Sequence, residues 1–131
     1  MKKSGILNPD LIQAIAAMGH TDRLVIADAG LPIPVEVARI DLALVAGVPG
    51  FVQTLEAVLS ELKVERATVA SEMRSRNPAV HEAVQRLLSG TPIDQVTHER
   101  FKELLPEVRV VVRTGEVTPY ANIILQSGVT F

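Results

Sequence analysis

A chain of 131 residues with 47% apolar content has room for one domain with its own core and too little for two ordinary ones, so residues 1–131 are expected to form a single domain. A net charge of −2 with scattered basic residues gives no electrostatic footing for nucleic acid or an anionic membrane, and the lack of cysteine excludes disulfides and thiolate metal sites. The longest uncharged run, Leu42 to Leu55, contains Gly47, Pro49 and Gly50 and falls short of the ~20 residues that span a bilayer; Lys2 and Lys3 lead into Asn8-Pro9-Asp10 rather than an apolar leader, so a cytoplasmic protein is expected.

Asn8-Pro9-Asp10 has the form of a helix start, with a cap, a first-turn proline and an acid at the positive end of the dipole. Leu11, Ile12, Ile15 and Met18 follow at helical spacing, and Gly19 supplies a stop. Leu24 to Ala27 is a short apolar strand, and Val37 to Leu42 a second. Phe51, Val52, Leu55, Val58, Leu59 and Leu62 make an amphipathic stripe. Ala67 to Ala70 is a strand, followed by Ser75-Arg76-Asn77, read as a solvated cap region. Asn77-Pro78 repeats the cap-plus-proline signal before a helix carrying Val80, Val84, Leu87 and Leu88. Pro92 to Val96 is a weak strand, Thr97 to Leu105 a short helix, Val108 to Val112 the clearest strand, and Asn122 to Gln126 the last. Strands alternating with helices predict an α/β fold: a mostly parallel sheet of about six strands with helices on both faces.

In such a sheet the binding groups lie beyond the carboxyl ends of the strands. Asp28, Glu72, His98 and Glu116 each follow a predicted strand, and therefore converge on one edge if the strands run parallel. The loop Arg113 to Asn122, RTGEVTPYAN, adds Thr114, Thr118, Asn122 and Tyr120, the only tyrosine in a chain without tryptophan. A carboxylate, hydroxyls, a phenol and an amide suit a small polyhydroxylated ligand. His20 precedes the strand that Asp28 follows. At about 3.3 Å per residue the two stand on the order of 15–25 Å apart within one chain, so a site using both is expected to be shared between subunits. Each residue also has a simpler role open to it: His20 as a cation at a helix C-terminus, His98 as a helix-start residue, Asp28 as a turn former. His81 is assigned no role. No HExxH spacing, Gly-x-Gly-x-x-Gly, phosphate loop or Gly-x-Ser-x-Gly elbow occurs, so no metal site and no nucleotide cofactor is expected.

The segments KKSGILNPDL at Lys2–Leu11, MGHTD at Met18–Asp22, IADAGLPIP at Ile26–Pro34 and RTGEVTPYANIILQSGVTF at Arg113–Phe131 resemble the D-ribose pyranase family. Fucose mutarotases are related, but typically read Asp-Ala-His-Phe-Pro where this chain has Asp28-Ala29-Gly30-Leu31-Pro32, and lack Thr118–Asn122 in this form. The resemblance implies a cofactor-independent isomerase that interconverts the pyranose and furanose forms of β-D-ribose. It carries the family's proton donor onto His20 and its sugar-binding groups onto Asp28, His98 and the Tyr120-Ala121-Asn122 segment. It also implies cyclic homo-oligomers, pentamers that stack into decamers. The stretch Val45 to Gln95 matches mostly in pattern, and little function is carried onto it. A ribose-binding accessory module and a fucose-type mutarotase are the alternatives.

Overall fold

The computed structural model describes residues 1–131. Six strands form one sheet: β1 (Arg23–Ala27), β2 (Ala38–Asp41), β3 (Val64–Ala70), β4 (Ile93–Val96), β5 (Val110–Arg113) and β6 (Ile123–Ser127), in the order β2-β5-β1-β6-β3-β4. Five helices accompany them: α1 (Pro9–Ala17), α2 (Phe51–Leu59), α3 (Met73–Arg76), α4 (Pro78–Leu87) and α5 (His98–Leu104). β1 pairs parallel with β5, β5 with β2, and β3 with β4, whereas β6 is antiparallel to both β1 and β3. Five strands thus run one way and β6 alone opposes them.

The reversal of β6 has a simple cause. Only residues 114–122, without a helix, link β5 to β6, and a parallel return needs a crossover of about a dozen residues or more. β6 must therefore begin at the edge where β5 ends, which keeps the 114–122 loop beside the carboxyl ends of the other five strands.

The period-2 alternation of the strands divides the core between two faces. Leu24, Ile26, Val110, Val112, Ile123 and Leu125 join Leu11, Phe51, Leu55 and Val84 from α1, α2 and α4. Val25, Ala27, Val111 and Ile124 meet Phe101 and Leu105 at α5 on the other side. Burial on both faces explains why Leu24 to Ala27 is an unbroken apolar run: all four are fully buried. Each larger side chain so buried contributes about 1.5–3 kcal/mol.

The first helix forms as its sequence suggests, with the Asn8 side chain accepting the Leu11 amide at 2.9 Å and Pro9 and Asp10 in its first turn. The second Asn-Pro signal behaves differently. Residues 73–76 form the short helix α3 rather than a solvated cap region, and the buried Asn77 makes no side-chain cap bond. Its amide instead donates to Thr118 Oγ1 at 2.9 Å and to the Pro119 carbonyl at 2.8 Å. A long-range demand from the 114–122 loop has overridden a local capping preference.

Candidate functional site

The carboxyl edge of the sheet gathers the polar groups. Asp28 leaves β1 and Asn122 precedes β6, two strands that are neighbours. The Asp28 amide donates to Asn122 Oδ1 at 2.8 Å, and Asn122 Nδ2 donates to Asp28 Oδ2 at 3.1 Å. Only an oxygen accepts a backbone N–H, so the first bond sets the Asn122 amide orientation and turns its NH2 group onto the carboxylate. Asp28 Oδ1 also accepts the Gly30 amide at 3.0 Å, so the residue does shape its turn as well. A carboxylate has about four lone-pair sites, and these bonds leave two for a sugar hydroxyl. Asn122 is itself buried, which makes this pair a rigid mount.

Tyr120 and His98 stand beside that mount. Tyr120 adopts a left-handed φ of 57°, which costs a non-glycine residue of order 1–3 kcal/mol and concentrates at functional sites. A tight turn holds it there: the Asn122 amide donates to the Tyr120 carbonyl at 2.9 Å across the buried Ala121. Its ring meets His98 edge-on, with centroids 5.1 Å apart. His98 starts α5, where Thr97 rather than histidine is the cap. The His98 amide donates to both Glu72 carboxylate oxygens at 3.0 and 3.2 Å. Its Nδ1 is buried with no hydrogen-bond partner within the chain, so it is open to a water or a ligand.

Glu72 and Glu116 share the edge but serve the scaffold. Burial opposes the Glu72 charge, yet its own amide, the His98 amide and the Ser71 hydroxyl outweigh that and hold its carboxyl below the usual range. Glu116 is treated in the same way: desolvation is offset by the amides of Phe51 and Thr118 and the Thr118 hydroxyl, and its carboxyl also lies low. Its Oε1 accepts the Phe51 amide at 2.9 Å and so caps α2, for which Gly50 offers no side chain. The loop Glu116–Pro119 and Asp28–Gly30 enclose an open hollow of about 440 Å³.

His20 lies elsewhere. It precedes β1, at the amino edge of the sheet, about 17 Å from the Asp28 edge if the five residues of β1 each rise ~3.4 Å. Its Nε2 faces Glu65 Oε2 at 3.0 Å, and it shares a second hollow of about 440 Å³ with Met18, Lys63, Ser127 and Phe131. The following residue, Thr21, has a φ of 70°. Within one chain, therefore, Asp28, His98, Tyr120, Ala121 and Asn122 come together, and His20 does not join them. No three His, Asp or Glu side chains lie close enough to hold a metal ion together.

Sequence reasoning missed Asn77, which anchors the site loop, and gave no role to Glu65. An asparagine before proline carries a local signal strong enough to hide a distant role, and a lone glutamate at a strand start carries none.

A model of the RbsD / FucU transport protein family matches residues 1–130. The chain belongs to that family. It is 56% identical to the D-ribose pyranase of Geobacillus thermodenitrificans, covering 100% of this chain and 99% of that protein. It is 55% identical to the D-ribose pyranase of Laribacter hongkongensis, covering both completely. Among solved structures, Bacillus subtilis RbsD complexed with D-ribose superposes over the whole of both chains with a TM-score of 0.97 at 46% identity. The fucose mutarotase of Streptococcus pneumoniae, in complex with L-fucose, has a TM-score of 0.82 at 26% identity over 95% of each chain. The α/β fold with its mostly parallel six-stranded sheet is the fold of this family.

Proposed function

We propose that this protein is a D-ribose pyranase, interconverting the pyranose and furanose forms of β-D-ribose without a cofactor. The carrying observation is likeness over the entire chain to proteins of that name, above 50% identity, joined to a carboxyl edge built for hydroxyl recognition. Changing ring size means opening a hemiacetal. The anomeric hydroxyl loses a proton as the ring oxygen gains one, the aldehyde rotates, and a different hydroxyl closes onto it. This is general acid–base work, for which a positioned side chain typically supplies ~10²–10⁴-fold. Histidine suits it because its unperturbed pKa of about 6.5 allows both protonation states near neutrality.

In this reading His20 protonates the ring oxygen. Asp28 and Asn122 bind hydroxyls as a pre-set acceptor and donor, Ala121 shapes the turn, Tyr120 offers a ring surface and a phenol, and His98 Nδ1 takes a further hydroxyl. Because His20 and Asp28 stand at opposite edges, the complete site joins two copies of the chain. Each edge also exposes apolar side chains: Leu44, Val45 and Val117 near Asp28, and Val129 and Phe131 near His20. Two different patches meeting head to tail generate a closed ring where the rotation between copies closes, in keeping with pentamers that stack into decamers. No helix is long and apolar enough to cross a membrane, and we place the protein in the cytoplasm.

NMR saturation transfer between the ring forms of ribose tests this directly. The wild type is expected to accelerate exchange and His20→Ala to lose it with the oligomer intact. Ribose binding without accelerated exchange would identify an accessory binding module, and exchange on L-fucose but not on ribose a fucose-type mutarotase.

A further inference from the structure

The pairing of His20 has a construction behind it. Val64 pairs with Ser127 and Arg66 with Gln126, so Glu65 is the extra residue of a β-bulge in β3. Bulges turn a side chain out of the strand's alternation and occur next to active sites more often than chance allows. The bulge aims Glu65 at His20, and Gln126 Nε2 donates to the second carboxylate oxygen, Oε1, at 2.9 Å. Gly128 closes over the same side chain. A Cβ there would lie 3.1 Å from Glu65 Cβ and 3.5 Å from its Oε2. Glu65 is thereby held from three sides with one oxygen left for the imidazole.

We propose that Glu65 is a positioning residue for His20: its carboxylate holds the Nε2 proton, so that Nδ1 is the nitrogen turned to the sugar. The proposal rests on the reading of His20 as the proton-transfer group. With Nε2–H committed to Glu65, the neutral ring presents a bare Nδ1 as base, and the charged ring presents Nδ1–H as acid. One nitrogen then serves both halves of ring opening, and the imidazole cannot turn away between them. The Gln126 amide, and next the His20 bond, keep the Glu65 carboxyl below its ordinary range, so it remains an acceptor wherever histidine titrates. An ion pair as exposed as this one, 54% and 35% for the two side chains, adds little to folding stability. Stability therefore does not account for the bulge, the glutamine and the glycine that hold it.

Glu65→Gln keeps the shape and an oxygen that accepts Nε2–H but removes the charge. The expected result is a loss of ring-exchange rate of roughly ten- to a hundredfold, part of what a positioned acid or base supplies, with an unchanged KM for ribose. The loss should fall on kcat alone, the mark of a group that acts through His20 rather than on the sugar. The other charges near this hollow stay in place: Glu61 and Lys63 line it, Asp22 is bound to the Gly19 amide and Arg109, and Arg66 is paired with Asp94. Gln126→Leu, which frees Glu65 Oε1, should give a smaller loss in the same direction. An unaltered rate in Glu65→Gln overturns the proposal, as does a loss carried by a raised KM, which marks a merely structural role. Full activity in His20→Ala removes the underlying reading as well, so the two failures are told apart.

Discussion

The two edges of the sheet solve different problems with similar parts. The carboxyl edge is a mount: Asp28 and Asn122 bond each other, the Tyr120 ring packs on His98, Glu72 holds the His98 amide, and Asn77 anchors the adjoining Thr118 and Pro119. The amino edge is sparse, with one exposed imidazole braced by one glutamate. The chain's two non-glycine residues with left-handed backbone, Thr21 and Tyr120, fall one at each edge. Binding a sugar calls for several rigid groups, because each hydroxyl needs a directed partner. In the proposed reaction, moving the proton falls to the other edge, where one imidazole would meet the sugar held by a neighbouring copy.

The sharpest way to break this comparison is to separate the edges genetically. His20→Ala and Asp28→Asn are each expected to be inactive alone, while mixed rings re-formed from equal amounts recover about a quarter of wild-type exchange, since random neighbours complete one site in about four. Mixtures that stay inactive would show that both residues serve from the same chain. Next in size is Gly115→Ala. A Cβ at Gly115 would lie 2.5 Å from the Val48 carbonyl oxygen and 2.6 Å from that of Val45, so a loss of about 1–3 kcal/mol is expected in urea unfolding, with weakened ribose binding as the loop shifts. Asn122→Ala strands the Asp28 amide and should cost a similar ~1–3 kcal/mol, whereas His20→Ala, at the sparse edge, should leave the urea midpoint nearly unmoved. Tyr120→Phe comes lower: its hydroxyl makes no bond within the chain, so stability should hold and ribose affinity fall by about 0.5–1.5 kcal/mol.

The smallest effect is confined to acid. Glu116 has a depressed carboxyl in the fold, so its contribution is present above the unfolded value of about 4.3 and is lost as pH falls through the lower folded value. Between those limits the unfolded chain binds more protons, and stability rises with pH. Glu116→Gln keeps an oxygen for the Phe51 amide and should flatten that slope. An unchanged slope below about pH 4.5 would detach Glu116 from the capping of α2.

Local chemistry determined the inventory of elements. The continuous apolar run at Leu24–Ala27, the Asn8-Pro9 start and the Phe51–Val58 stripe each specify their element through burial and capping over a few residues, and the polar loop before β6 declares itself by composition. The separation of His20 from Asp28 was also legible, because a strand has a known rise. The antiparallel direction of β6 follows from the short helix-free link at 114–122. Two matters were decided only by the tertiary structure: the diversion of Asn77 from helix cap to loop anchor, and the service of Glu116 as the cap of α2. Each depends on a partner 40 or more residues away in sequence. Period and propensity report on a residue's immediate neighbours, whereas a buried hydrogen-bonding group takes whichever partner the fold brings within reach.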